Sequence, residues 1–384
     1  MSVKIERLES TQTSAWDAYV HAHSKATLYH LSGWGSVVEK TYGHKTYYLM
    51  ATKKELDHET RIPPNSSKPT IHKSQIIGIL PLVHMKHFLF GNSLISMPFF
   101  DIGGVLANDE EVEKTMVSEA IKIAQELKVD NIELRHVEPF SWLKRDGSEM
   151  YSMKHQQSDI SWDFQTRSHK VRMLLDLPES SEVLMKSFKA KLRNQIKKPI
   201  NEGLYIKLGG VELLSDFYRV FSIHMRDLGS PVHAKNLMQN VLQEFPKESR
   251  IVAVYKDNQP IGCSMIIGFK ETLENPWASS LREFSKLSPN MLLYWAMLEY
   301  ACDNGFACFD FGRSSPDEGT YRFKKQWGAR ASALHWHYIS ADANQLDEGI
   351  RGESRYRKAT HYWRKVPVPL TKILGPRLRK HIAL

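Results

Sequence analysis

Two stretches decide the reading of the fold: VSEAIKIAQELKVDNIELR at 117–135 and LLYWAMLEYACDNGFACFDFGR at 292–313. Each opens with apolar residues at helical spacing and closes on a short strand pattern. In each, the strand carries an acid just before an arginine, Glu133 before Arg135 and Asp310 before Arg313. Working back from them, KTYYLMATKK (45–54) with QIIGILPLV (75–83), and RIVAVYKDNQ (250–259) with PIGCSMIIGF (260–269), read as strand pairs. Further back, SAWDAYVHAHSKATLYH (14–30) and LLSDFYRVFSIHMRDLGSPVH (213–233) each give a helix and a bend ending at a histidine, His30 or His233. Three matches in one order indicate a duplication. The His30–Gly78 interval is 48 residues and the His233–Gly262 interval 29, and a polar insert at 55–74 accounts for the difference of 19. The expected fold class is therefore α/β, a mixed sheet flanked by helices, in two tandem copies.

Length and composition agree with two domains. A chain of 384 residues exceeds one ordinary core. With 42% hydrophobic and 25% charged residues it is globular in type. The expected division is 1–165, 166–345 and a tail at 346–384. The opening MSVKIERLESTQTSAWD has no apolar segment of signal-peptide kind, and no run of about 18 uncharged apolar residues occurs, so a cytoplasmic location is expected. Cys263, Cys302 and Cys308 lack disulfide or zinc spacing, so core thiols and no metal are expected. The net charge of +9 lies in the tail, where Arg351 onward holds ten Lys/Arg and one Asp/Glu. Such a tail suits a membrane surface or an acidic polymer, or is a solvated terminus.

Four motifs of the second copy carry candidate chemistry. SSEVLMKSFKAKLRNQIKKP (180–199) reads as one helix with Ser181 near its N-cap and Pro199 at its stop. Leu184, Phe188, Leu192 and Ile196 form its buried stripe, and Lys186, Lys189, Arg193 and Lys197 a cationic ladder. The ladder is either a phosphate-binding face or solvated surface. In ENPWASSLREFSKLSPNMLLYW (274–295), Ser288 and Pro289 open a helix whose free N–H groups, near Asn290, can take an anion. No Gly-rich pyrophosphate loop stands there. In GFACFDFGRSS (305–315), Phe309 and Phe311 share one strand face and Cys308 and Asp310 the other. Asp310 is a base, an amine anchor or the ion-pair partner of Arg313, and Arg313 an anion ligand. GTYRFKKQWGA (319–329) crowds Tyr321, Arg322, Lys324, Lys325 and Trp327 between two glycines, as either a ligand-contacting segment or a lysine-protected strand edge.

FDFGRSS followed closely by GTYRFKKQWG resembles the signature of FemAB-related proteins. WASSLREF, SPNMLLYW, MRDLGSPVH and, in the first copy, ATLYHLSGW and IELRHVE resemble a subgroup associated with exopolysaccharide and PEP-CTERM sorting loci. The resemblance runs from about Trp16 to Trp336. It implies a tandem pair of GNAT-like acyl-CoA N-acyltransferase folds that transfer an acyl or aminoacyl group to an amine of a cell-envelope or exopolysaccharide precursor, nucleotide- or lipid-linked. In better understood relatives the lysine of a Phe-Lys pair is implicated at the active site, which maps to Lys324 of Phe323-Lys324. The donor is an acyl-CoA or an aminoacyl-tRNA, with no tightly bound cofactor.

On this reading the catalytic candidates are Asp310, for positioning or deprotonating the amine, and Lys324, for developing negative charge or a donor phosphate. The substrate-binding candidates are Lys189, Arg193, Trp277, Ser288, Asn290, Tyr294, Arg313, Tyr321, Phe323 and Trp327. A CoA-dependent N- or O-acyltransferase and a non-catalytic binding scaffold for glycan or precursor are the competitors. No groove-reading motif accompanies the basic tail, so DNA is not an expected partner, whereas tRNA and a peripheral membrane contact are.

Overall fold

The computed structural model describes residues 3–54, 74–143, 151–154, 160–342 and 359–383. Most of the expected insert at 55–74 and much of the basic tail lie outside them. The first half supplies β1 (Val3–Arg7), α1 (Thr13–Ala22), α2 (Gly33–Tyr42), β2 (Lys45–Lys54), β3 (Ser74–His87), β4 (Gly91–Ile95), β5 (Leu106–Ala107), α3 (Glu110–Leu127), β6 (Asn131–His136), β7 (Tyr151–Lys154) and β8 (Ser161–Arg167). The second supplies β9 (Val171–Asp176), α4 (Ser181–Ser187), α5 (Ala190–Asn201), β10 (Tyr205–Gly209), α6 (Leu214–Leu228), α7 (Lys235–Glu244), β11 (Ser249–Lys256), β12 (Gln259–Phe269), β13 (Thr272–Ser280), α8 (Pro289–Asp303), β14 (Cys308–Ser314), α9 (Gly319–Lys325) and β15 (Arg330–Ala333). Then follow β16 (His335–Ser340) and α10 (Val368–Arg379).

The strands form two mixed sheets. The first runs β1-β2-β3-β4-β6-β16-β8-β7 with β5 on β3, and the second runs β10-β11-β12-β13-β14-β9-β15. The duplication is visible in the register. β4 and β6 pair in parallel over three positions, ending at Ile95 opposite Glu133. β13 and β14 do the same, ending at Glu274 opposite Asp310. In each half the acid singled out by sequence is the last paired residue before the two strands part.

Local chemistry explains the elements. Asp109 caps α3 by accepting from Val112 N at 2.9 Å, and Glu110, Glu111 and Glu113 face the positive end of the helix. Its stripe of Val112, Met116, Ala120, Ile123 and Ala124 packs on one face of the first sheet. The other face joins a core that runs from Trp16, Trp34 and Tyr48 into Phe217, Met238, Trp277 and Leu298, so the halves share one interior. Trp34 sits at its centre, 4.5 Å from Phe100 and 4.9 Å from Phe245 between ring centroids.

Three expectations are corrected. The stretch 180–199 is two helices, because Phe188 and Lys189 are extended and break it, so no continuous cationic ladder exists. The cap is Ser180, with Ser181 beside it as the first helical residue, whereas Pro199 lies inside α5 rather than at its stop. The GTYRFKK segment is the helix α9 and not a strand edge. Two placements cross the expected domain limits: β8 spans the 165/166 boundary, and β16, from the 166–345 range, inserts between β6 and β8 of the first sheet.

That insertion buries histidines. His337 of β16 lies 5.1 Å from His136 and 4.4 Å from Phe140 between ring centroids. Burial holds His136 well below its usual range and His337 at about 3, and His30, accepting from Thr27 N at 3.0 Å, at about 4. All three are thus neutral when folded and bind more protons when unfolded. Their contribution is complete above the unfolded value of about 6.5 and is lost as pH falls below it. Between about pH 6 and pH 4 each is expected to cost up to about 1.4 kcal/mol per pH unit. Urea denaturation across this range checks it, and His30→Gln should flatten the slope.

Candidate active site

Where β13 and β14 part, both are irregular. The pairing of β13 with β12 shifts register between Met265 and Ile267, and that of β14 with β9 shifts between Asp310 and Arg313. Bulges re-aim side chains at strand ends. Gly312, in the second bulge, has φ +73°, a left-handed conformation in which a side chain would be strained.

Asp310 is 1% exposed and both its oxygens are engaged. Oδ2 accepts from Arg172 Nε at 2.8 Å and Nη2 at 2.5 Å, and Oδ1 accepts from Gly312 N at 2.8 Å. The expected alternative partner, Arg313, instead pairs with Asp101 of the first half at 3.2 Å and lies 5.4 Å over the Trp336 ring. Arg135, its counterpart in the duplication, lies 5.0 Å over the same ring. Trp336 Nε1 donates to Asp101 O at 2.9 Å. One indole therefore holds the matching arginines of both copies.

Lys324 is 7% exposed, and Nζ donates to the carbonyls of Gly312 at 3.1 Å and Arg313 at 2.8 Å. An ammonium has three donors, so one remains. Burial lowers its pKa to about 8 against the opposing pull of Asp310 and Asp101. Beside Asp310, Glu274 accepts from Tyr29 Oη at 2.5 Å. Burial, then the Asp310 charge, holds the Glu274 carboxyl well above the usual carboxylate range, with Arg172 and Tyr29 pulling the other way. Three acids, Asp101, Glu274 and Asp310, thus face three cations, Arg172, Arg313 and Lys324. Sequence reading missed Tyr29, Asp101, Arg172 and Glu274. Only Glu274 carried a local signal, a lone acid within the strand pattern TLENPWASS.

Of the other candidates, Tyr294 stacks on Phe311 at 5.5 Å and meets Phe323 at 5.0 Å, with Trp327 at 6.4 Å, which backs α9 against the splay. Trp277 lies 5.7 Å from Phe100. Tyr321 is half-buried under Lys325, whose Nζ is 5.8 Å from the ring. Ser288, in the left-handed region at φ +57°, precedes α8, and Asn290 is exposed in its first turn. Lys189 lines a separate cavity of about 830 Å3 with Lys191 and Lys325. Arg193 donates to the Phe188 carbonyl and so secures the α4–α5 break. Buried Ser279 Oγ, Ser314 Oγ and Trp327 Nε1 have no hydrogen-bond partner among the described residues.

The first copy treats its splay differently. Met97–Gly103 occupies it: Ser96 N donates to Glu133 O at 2.8 Å and Gly103 N to Arg135 O at 3.0 Å. Arg135, fully buried, donates Nε to Glu133 at 2.9 Å and Nη1 to Phe100 O. A cavity of about 810 Å3 opens on the first half, lined by His23, Lys25, His30, Arg135 and His136 and reached from the second half by Arg172. Arg172 thus faces it while holding Asp310. Among the described residues no cluster of three or more His, Cys, Asp or Glu suits a metal, and no helix is long and apolar enough to cross a membrane.

Residues 186–325 match the family described as an acetyltransferase (GNAT) domain. Among solved structures, that of FemX is similar over 87% of this chain and 96% of its own, at 14% identity and a TM-score of 0.60. A tandem GNAT protein from the clavulanic acid biosynthesis pathway is similar over 89% and 99%, at 10% identity and a TM-score of 0.51. A conserved protein of unknown function from Bacteroides thetaiotaomicron is similar over 88% and 100%, at 9% identity and a TM-score of 0.50. No curated protein matches the sequence. The chain has a tandem GNAT-like fold, and its second copy carries the acetyltransferase-type domain of an acyltransferase.

Proposed function

We propose that this chain transfers an acyl or aminoacyl group to an amine of a cell-envelope or exopolysaccharide precursor, with the chemistry at the β13–β14 splay. The observation that carries the reading is a pair of oppositely perturbed groups in one charge-balanced cluster. Glu274 is held above its usual range and Lys324 below its own. Environments that push titratable groups off their ordinary values suit acid–base work near neutrality.

An alkylammonium with a pKa near about 10.4 must lose a proton before it attacks. Glu274 takes that proton, while Asp310, fixed by Arg172, anchors the amine and keeps Glu274 basic. As the N–C bond forms, the carbonyl oxygen gains charge, and the third N–H of Lys324 stabilises it. The nitrogen then loses its second proton to solvent, the C–S or C–O bond to the donor breaks, and the leaving group takes the proton that Glu274 accepted. The acceptor enters by the cavity that Arg172 lines. Donor phosphates are assigned to the first turn of α8 at Ser288–Asn290 and to the cations Lys189, Arg193 and Arg313. Trp277, Tyr294, Tyr321, Phe323 and Trp327 form the apolar walls. Acyl-CoA and aminoacyl-tRNA are cytoplasmic molecules, so the enzyme is assigned to that compartment. The acetyltransferase match supports a CoA thioester, and the likeness to FemX supports keeping the aminoacyl donor beside it.

Thermal denaturation with CoA thioesters, nucleotide-linked sugars and aminoacyl-tRNA mimics separates these donors, since a ligand at 100 times its Kd stabilises by about 2.7 kcal/mol. A shift with CoA thioesters alone selects the CoA donor, and one with tRNA mimics alone selects the aminoacyl donor. Binding without turnover selects the scaffold reading. With the donor in hand, kcat/KM is expected to rise with pH as Glu274 ionises and to fall above about pH 8 as Lys324 loses its proton. Glu274→Gln should remove the rising limb and Lys324→Ala the falling one, each at a cost in kcat of about 100-fold or more. Full activity in Lys324→Ala would sink the assignment.

A further inference from the structure

A helix on a globular body normally turns its apolar stripe inward. α10 does the reverse. It buries Thr371, Gly375 and Arg379 and exposes Leu370 at 49%, Ile373 at 57%, Leu374 at 43% and Leu378 at 36%. Its orientation is set by specific contacts. A Cβ on Gly375 would lie 3.0 Å from the Val232 backbone nitrogen, so the helix seats there because the position is glycine. Arg379 Nε donates to His233 Nε2 at 3.0 Å, and the other ring nitrogen of His233 bonds Tyr42 Oη at 2.8 Å. A half-turn rotation would bury the leucines but lose these contacts and bring Arg377 inward.

A second exposed apolar element lies beside it. The β3–β4 turn presents Phe88 at 87%, Leu89 at 71% and Phe90 at 38%. His381, just after α10, stacks 4.1 Å from His87 and 6.2 Å from Phe90, so turn and helix end are neighbours. Between Tyr362 and Ala383 there are six Lys/Arg and no Asp/Glu, and exposed Lys86 precedes the turn.

We infer that the outward face of α10 and the Phe88–Phe90 turn form one docking surface for an anionic lipid bilayer, on which the helix lies in the interfacial plane. Apolar side chains interleaved with cations match that environment: the side chains enter the acyl boundary and the cations meet the headgroups. A second copy of the chain fits poorly, since a two-fold contact would set this acid-free segment against itself. The inference is independent of the reaction proposed above.

The test is co-sedimentation of the full chain with vesicles of phosphatidylcholine, alone or mixed with phosphatidylglycerol. Binding is expected only to the mixed vesicles and should weaken with salt. The pairs Ile373→Ser with Leu374→Ser, and Phe88→Ser with Leu89→Ser, should each lower partitioning about tenfold. Lys372→Glu with Arg377→Glu should remove the preference for phosphatidylglycerol. All six residues are exposed, so unchanged thermal midpoints show that the fold is intact. Absence of wild-type binding to the mixed vesicles, or binding unchanged in both serine pairs, overturns the inference. So does a solution dimer that the same serine pairs dissociate.

Discussion

A carboxylate buried where two strands part has lost water on every side and must be paired within the protein, and both halves of this molecule are arranged around that requirement. In the first, Glu133 is answered by Arg135 two residues along its own strand, and the gap is closed by Met97–Gly103. In the second, Asp310 is answered by Arg172 from the neighbouring β9. That choice frees Arg313 to reach Asp101 and leaves the Gly312–Arg313 carbonyls to hold Lys324. A single change of partner separates a filled splay from one that gathers titratable groups.

The same arrangement explains why the halves are not independent beads. Asp101 and Tyr29 of the first half complete the cluster of the second, and β16 returns to the first sheet with Trp336 between Arg135 and Arg313. The raised Glu274 and lowered Lys324 owe their values to burial at this junction. Neither sheet alone would keep water from them. A tandem duplication is thus a way of supplying one copy as a wall for the other's site.

Much of the architecture was legible because helical and strand periodicities survive as local patterns: the acid–arginine strand ends, the strand pairs and the bends at His30 and His233 all lie in short windows. Asp310, Arg313 and Lys324 were legible for the same reason, within two adjacent motifs. Arg172 was not, since it meets Asp310 only through pairing between strands 138 residues apart in sequence. Glu274 looked like one more strand residue until its neighbour across the parallel pair was known to be an acid. The helix predicted over 180–199 failed at Phe188, where a buried ring packing 5.7 Å from Trp327 outweighs helix propensity.

The sequence by itself determined the duplicated α/β plan and the basic tail, because each is written in residue type and spacing along the chain, and it singled out the candidate lysine through the resemblance of its motif to a family signature. Only the tertiary structure decided which cation neutralises Asp310, that Glu274 stands beside it, that the first splay is filled, and which face α10 turns outward. Those are outcomes of desolvation and close approach between distant segments, and the free energy of a buried charge depends on what surrounds it in space rather than on what precedes it in the chain.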